Sequence, residues 1–150
     1  MLNFRKINRQ DKDAYLKMVS EFYDSDAVLI HPSEDHFAST FDELMRSEAY
    51  TECFIFELDG KTVGYSLLAK TFSQEAGGIV MWIEEIYVSP ECRGRGIGSA
   101  FLEHLIKSRE KSVRRLRLEA EKENEGAIKL YRSLGFEPLD YGQLIIDFKD

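Results

Sequence analysis

Cysteine, proline, histidine and tryptophan are all scarce in this chain of 150 residues: two, three, three and one respectively. The two cysteines, Cys53 and Cys92, suit a reducing compartment. Neither they nor His31, His36 and His104 show the paired spacing of a zinc site, so no metal is expected. Long apolar runs are missing as well. None approaches the roughly 20 residues that a membrane-spanning helix needs. The first residues, Met1-Leu2-Asn3-Phe4-Arg5-Lys6, lack the apolar stretch of a signal peptide. A cytoplasmic location with no membrane partner is the expectation. Positive charge is also short: 20 Lys and Arg stand against 27 Asp and Glu, for a net charge of −7. A nucleic-acid partner needs a basic footprint and is therefore not expected. An acidic balance suits a cationic partner instead.

What remains is an ordinary globular composition, 43% hydrophobic and 31% charged, without repeat, linker or low-complexity tract. Its length fits a single domain over residues 1–150. Leu2 to Ile7 alternates and reads as a first strand. Tyr15, Met18, Val19 and Phe22 fall at i, i+3, i+4, i+7 and predict a helix from about Asp11 to Asp24. Ser33 is a candidate N-cap for a second helix, whose apolar stripe is Phe37, Phe41, Leu44 and Met45. The period then becomes two. Cys53 to Leu58 and Thr62 to Ala69 form a hairpin across Asp59-Gly60, and Ile79 to Val88 follows Gly77-Gly78 as a third strand of this group. Gly98 to Arg109 is amphipathic. Leu116 to Ala120 reads as a strand and Asn124 to Leu134 as a helix stopped by Gly135. Phe136 to Leu139 and Gln143 to Phe148 read as closing strands. The predicted class is α/β (α+β): one mixed, mostly antiparallel sheet flanked by about four helices, in the order β-α-α-β-β-β-α-β-α-β-β.

The most informative segment is Val88-Ser89-Pro90-Glu91-Cys92-Arg93-Gly94-Arg95-Gly96-Ile97-Gly98-Ser99. A strand ends, a glycine-rich turn follows and a helix begins. A helix N-terminus carries amides without partners and the positive end of the macrodipole, so it attracts anions. Glycines let the backbone close on the anion, and Arg93 and Arg95 add donors suited to phosphate. The ATP-type P-loop requires a Lys-Ser/Thr pair after its last glycine, which is missing. The dinucleotide fingerprint G-x-G-x-x-G does not match either, since Gly94, Gly96 and Gly98 are spaced G-x-G-x-G.

Arg93-Gly94-Arg95-Gly96-Ile97-Gly98 resembles the [QR]-x-x-G-x-[GA] signature of the GNAT superfamily of N-acetyltransferases. Ile83-Glu84-Glu85-Ile86-Tyr87-Val88 resembles that family's fourth strand. Asn124, Ala127, Tyr131 and Leu134-Gly135-Phe136 resemble the motif on its later helix. The specific similarity runs from about Ile79 to Phe136, and the order of elements matches along the whole chain. The resemblance implies acetyl-CoA (coenzyme A) as cofactor. Ile86, Tyr87 and Val88 would meet its pantetheine arm. The Val88 amide would steady the thioester oxygen, and the amides from Arg93 through Gly94, Arg95, Gly96, Ile97 and Gly98 to Ser99 would hold the pyrophosphate. Asn124, Ala127 and Tyr131 would contribute from the later helix.

Acetyl transfer to an alkyl amine needs a base, because such an amine has a pKa of about 10. It also needs an acid for the leaving thiolate. By resemblance to spermidine/spermine acetyltransferases, Glu84 is the preferred base, acting through water, with Glu85 as the alternative. Tyr131 is the acid of the family pattern. Tyr23, His31, Gln74, Glu75 and Glu85 are candidate acceptor contacts. The expected activity is acetylation of a primary amine by direct attack in a ternary complex. A small and cationic amine is favoured, and a homodimer is the default assembly. Two alternatives stand: a protein or peptide N-acetyltransferase, and a non-catalytic acetyl-CoA-binding module.

Overall fold

The computed structural model describes residues 1–149. The chain divides into two compact units, Met1–Glu119 and Ala120–Asp150. In the first, β1 (Leu2–Lys6) leads through a short 3-10 turn into α1 (Lys12–Tyr23) and α2 (Glu34–Arg46). Then come β2 (Thr51–Leu58), β3 (Lys61–Ser73), β4 (Gly78–Val88), α3 (Ile97–Ser108) and β5 (Val113–Leu118). The five strands form one sheet in sequence order. The first four are antiparallel neighbours, and β5 runs parallel to β4. A parallel neighbour cannot be reached by a tight turn, which is why α3 lies between them.

Both faces of the sheet are covered, so the alternation in β2 is between two apolar sets. Cys53 and Ile55 face α1 and α2, where they pack with Tyr15, Met18, Val19, Phe37, Phe41 and Leu44. Phe54 and Phe56 lie against Phe101 of α3, with ring centroids 5.4 and 4.8 Å away. The hairpin at Asp59-Gly60 forms as read, with Leu58 opposite Lys61. Ser33 stands at the N-cap of α2, but its side chain accepts no capping hydrogen bond. Strand β5 starts at Val113, earlier than its apolar pattern indicated. Arg114 and Arg115 occupy it because their long side chains can leave a sheet edge while the backbone pairs with β4.

The second unit holds α4 (Glu125–Ser133). The Oδ1 of Asn124 accepts from the Ala127 amide at 3.2 Å and caps the helix. At the other end Phe136 N–H donates to Tyr131 O and Gly135 N–H to Arg132 O, with Gly135 at φ +101°. This is the C′ glycine stop that the sequence predicts. The closing strands read over 136–139 and 143–148 are not formed, and residues 136–149 carry no regular secondary structure. Leu144 and Phe148 are 99% and 84% exposed. A strand exists only where a second backbone satisfies its N–H and C=O groups, and apolar spacing does not supply that partner.

The contact between β3 and β4 is tight at Gly64. A Cβ built there would sit 2.2 Å from the Tyr87 carbonyl oxygen and 2.9 Å from Cδ2 of Phe56. Gly64→Ala should therefore force the strands apart and lower stability by about 1–3 kcal/mol. Urea denaturation checks this, and an unchanged midpoint would show that β4 does not depend on that approach.

Candidate active site

Strand β4 has one satisfied edge and one that is only half used. Tyr87 lies opposite Tyr65, and Ser89 N–H donates to Val63 O at 2.7 Å. Residues 85, 87 and 89 thus spend their main-chain groups on β3. The alternation of an antiparallel ladder turns the amides and carbonyls of Ile86 and Val88 to the opposite edge. On that edge β5 pairs with β4 from Ile79 to Ile83 only, ending at Ile83 opposite Leu118. The main chain of Ile86 and the N–H of Val88 therefore face an extended polar chain that could bind as an added strand, while the Val88 carbonyl accepts from Arg93. Tyr87 is different. Its main chain belongs to β3, and its ring stacks on Tyr65 with centroids 5.9 Å apart.

Beyond Val88 the chain makes a short turn over Pro90–Cys92 and reaches α3 through Gly94 and Gly96. These have φ of +75° and +74°, a region that residues with a Cβ rarely enter. The Cys92, Arg93 and Ala100 amides have backbone acceptors at Ser89, Pro90 and Gly96. Among the described residues, no acceptor faces the amides from 94 to 99. Those of 97 to 99 are the unpaired N-terminal donors of the 12-residue helix α3, and those of 94 to 96 lie in the turn just before it. Arg93 Nε donates to Val88 O at 2.7 Å, and its guanidinium lies 5.6 Å from the Tyr87 ring centroid. This folds the side chain against the end of β4 and leaves its Nη groups for an anion. Arg95 reaches Glu91 O at 3.4 Å. Gly98 sits beside Ile86, and a Cβ there would lie 3.8 Å from Ile86 Cγ2. A glycine-lined cradle of free amides, continuous with the open edge of β4, fits the pyrophosphate and the amide-bearing arm of coenzyme A.

The two glutamates of β4 have different surroundings. Leu67 pairs with Glu85 and Leu68 with Ile83, so Glu84 is the extra residue of a β-bulge. It stands exposed where β4 and β5 part. Glu85 is buried. Its Oε2 accepts from Tyr23 Oη and its Oε1 from Tyr65 Oη, each at 2.6 Å. Tyr23 also stacks on Phe37, with centroids 5.4 Å apart. Beside this group Tyr87 Oη donates to Glu21, and the Tyr87 phenol is pushed up to about 12 by burial and by that carboxylate.

Desolvation around its carboxyl, then the charges of Glu85 and Glu119, hold Glu84 above the usual carboxylate range. Burial raises Glu85 too, opposed by the hydrogen bonds from Tyr23 and Tyr65. Burial keeps the Tyr23 phenol protonated, reinforced by its bond to Glu85. An accessible carboxylate with raised proton affinity, at the end of an open strand edge, is equipped to take a proton from a bound nucleophile.

The structure brings Tyr23, Glu84 and Glu85 together, and places Ile86 and Val88 on the way to the loop from Arg93 to Ser99. His31 is exposed, with its Nδ1 against Tyr23 O. Gln74 and Glu75 are not part of this cluster. They sit on the β3–β4 turn, roughly 20 Å of strand from Glu84 at about 3.3 Å per residue. Glu75 takes a hydrogen bond from Arg115 at 2.8 Å. Asn124, Ala127 and Tyr131 lie in the second unit, where Asn124 caps α4 and the half-buried Tyr131 packs edge-on against Phe136. Burial also holds the Tyr131 phenol above its usual range. Sequence reading missed Tyr65 and Glu21. The available signal was a core-facing tyrosine on β3, since a buried phenol needs a hydrogen-bond partner.

Comparison with known proteins agrees with this geometry. The model of the acetyltransferase (GNAT) family matches residues 16–136. An uncharacterized N-acetyltransferase of Methanocaldococcus jannaschii is 32% identical over 135 residues, covering 89% of this chain and 59% of its own length. The thialysine N-epsilon-acetyltransferase of Bos taurus is 37% identical over 78 residues, covering 51% of this chain and 45% of its own. The chain thus spans about half to three fifths of the length of these curated relatives. A possible acetyltransferase from Clostridium difficile 630 has the same fold, with a TM-score of 0.85 over 100% of this chain and 99% of its own at 20% identity. With its open β4 edge, its glycine cradle and a family match over residues 16–136, the chain belongs to the GNAT family of acetyltransferases.

Proposed function

We propose that this chain is an acetyl-CoA-dependent N-acetyltransferase acting on a small primary amine. The observation that carries the reading is the stretch of β4 left without a β5 partner, with the main chain of Ile86 and the N–H of Val88 open, which runs from the Glu84 bulge into the free amides before and within the first turn of α3. Acetyl-CoA supplies an activated acetyl group. The amides from 94 to 99 and Arg93 hold its pyrophosphate, and Ile86 and Val88 align its arm. The Val88 N–H donates to the acetyl carbonyl oxygen as negative charge builds there, a fixed donor where water is sparse. Glu84 takes a proton from the acceptor nitrogen through water, so that the lone pair can attack the acetyl carbon. Tyr131 returns a proton to the departing sulfur. Its phenol is protonated at neutral pH, as an acid must be.

The acceptor side is acidic. Glu84 stands beside Glu85 and close enough to Glu119 to feel its charge, which favours a cationic amine over an anionic one. The thialysine acetyltransferase relative supports the same class. A panel of polyamines, aminoglycosides, lysine analogues and peptides, read by CoA release, tests this. Release with peptides alone would move the assignment to a protein N-acetyltransferase. Release with no amine, together with tight acetyl-CoA binding, would favour a binding module. The two unpaired cysteines support a reducing, cytoplasmic setting.

Glu84→Gln should lower kcat by about 10²–10³-fold, in the usual range for general-base catalysis, while acetyl-CoA binds as before. The base works deprotonated and its proton affinity is raised. The rate should therefore fall as pH drops through a value above the ordinary carboxylate figure of about 4.3. Tyr131→Phe should lower kcat and abolish the alkaline limb of the profile. Full turnover in both variants would remove both roles. Arg93→Ala should raise the acetyl-CoA Kd by about 10–150-fold, equivalent to about 1.5–3 kcal/mol for a charge-assisted contact. Isothermal calorimetry measures it, and an unchanged Kd would leave the cradle to backbone amides alone.

A further inference from the structure

Glu85 is neither exposed nor paired with a cation. Among the described residues, neither Glu84 nor Glu85 takes part in an ion pair. Each oxygen of Glu85 instead receives one phenol at 2.6 Å, from Tyr23 at the end of α1 and from Tyr65 in the middle of β3. Two donors and no acceptor is an arrangement suited to the ionised carboxylate, which has lone pairs to offer and no proton of its own. The carboxylate thus ties three elements together at one point: α1, β3 and the bulged turn of β4.

We propose that Glu85 is a positioning residue, a buried and tyrosine-clamped carboxylate that fixes the β4 bulge, presents Glu84 at the fork with β5, and strengthens Glu84 as a base through its negative charge. The inference rests on the reading of Glu84 as the base. The causes acting on Glu84 all raise its proton affinity, whereas on Glu85 the two phenols oppose burial. Glu84 feels Glu85 on its own strand and Glu119 just after β5. Tyr23 of α1 feels both glutamates. Around Glu85 stand Tyr23 and Tyr15 of α1, Tyr65 of β3 and Cys53 of β2, all of which its charge pushes toward their protonated forms. The charge of Glu85, buried and without a cation partner among the described residues, favours the protonated form of Glu84 beside it. Glu84 therefore binds a proton from the acceptor nitrogen more strongly than an isolated surface glutamate does. Neither tyrosine needs to touch the acceptor for this to operate.

The test is the pH dependence of kcat/KM for the best amine, with Glu85→Gln compared against the wild type. Glutamine keeps the shape and removes the charge. The acid limb should move to lower pH by about 0.5–1 unit, and acetyl-CoA KM should not change. Glu85→Ala should lose the clamp as well, lowering kcat beyond the effect of Glu85→Gln. An acid limb that stays in place in a folded Glu85→Gln enzyme overturns the proposal. So does loss of turnover as complete as in Glu84→Gln, because Glu85 would then act in the chemistry itself. If Glu85→Gln does not fold, ¹³C NMR of the wild-type carboxyl carbons decides instead. Glu85 must be ionised while Glu84 titrates, and a Glu85 that stays protonated up to pH 8 overturns the proposal. Should Glu84→Gln keep full turnover, the base assignment falls and this role falls with it. An inactive Glu84→Gln beside an unshifted Glu85→Gln removes only the role given to Glu85.

Discussion

Backbone amides and carbonyls in a sheet need partners, and β4 is an interior strand whose second neighbour stops short, pairing with β5 only from Ile79 to Ile83. Along β3 the ladder is continuous from Gly78 to Val88, interrupted only by the extra residue at Glu84. Along β5 it stops at Ile83. The main chain of Ile86 and the N–H of Val88, left without a sheet partner there, are a demand as much as an opportunity, since peptide groups seek hydrogen bonds. Binding a chain that carries amides of its own meets that demand. The open edge also ends at the one helix whose first turn is entered through two glycines of positive φ. The open edge and the free amides thus form one continuous track.

The chemistry of the acceptor side depends on how charge is distributed around the bulge. A β-bulge displaces one side chain from the regular alternation. Here it separates two adjacent glutamates into different environments, one exposed and one buried. The charge of Glu85 raises the proton affinity of Glu84, and the phenols decide which of the two is held. Glu85 is clamped by Tyr23 and Tyr65, whereas the Glu84 side chain makes no hydrogen bond among the described residues and is left for solvent and ligand. The net charge of −7 was a weak guide to a cationic acceptor. The local grouping of Glu84, Glu85 and Glu119 is more specific, since it gathers negative charge where β4 and β5 part.

Much of this was legible in the residues in order. Helix stripes such as Tyr15-Met18-Val19, the Asp59-Gly60 hairpin and the Gly135 stop are local patterns, and local backbone energetics decides them. The backbone of the glycine loop was legible for the same reason: Gly94 and Gly96 do adopt positive φ, a local feature that few other residues permit. The closing strands were misread because pairing is not local. Alternation over Gln143 to Phe148 describes a segment that could pair, and the structure provides no ladder for it.

The amino-acid sequence by itself determined the cradle, the helix that opens on it and the acidic pair before it, since each is written within a dozen contiguous residues. Only the tertiary structure decided which glutamate is exposed and which is clamped. It also removed Gln74 and Glu75 from the cluster and brought Tyr65 into it. Those outcomes depend on one residue of slip in the β3–β4 register and on phenols that come from 62 and 20 residues away. Side-chain hydrogen bonds across such separations follow from how strands and helices pack, and no spacing rule in a linear sequence encodes them.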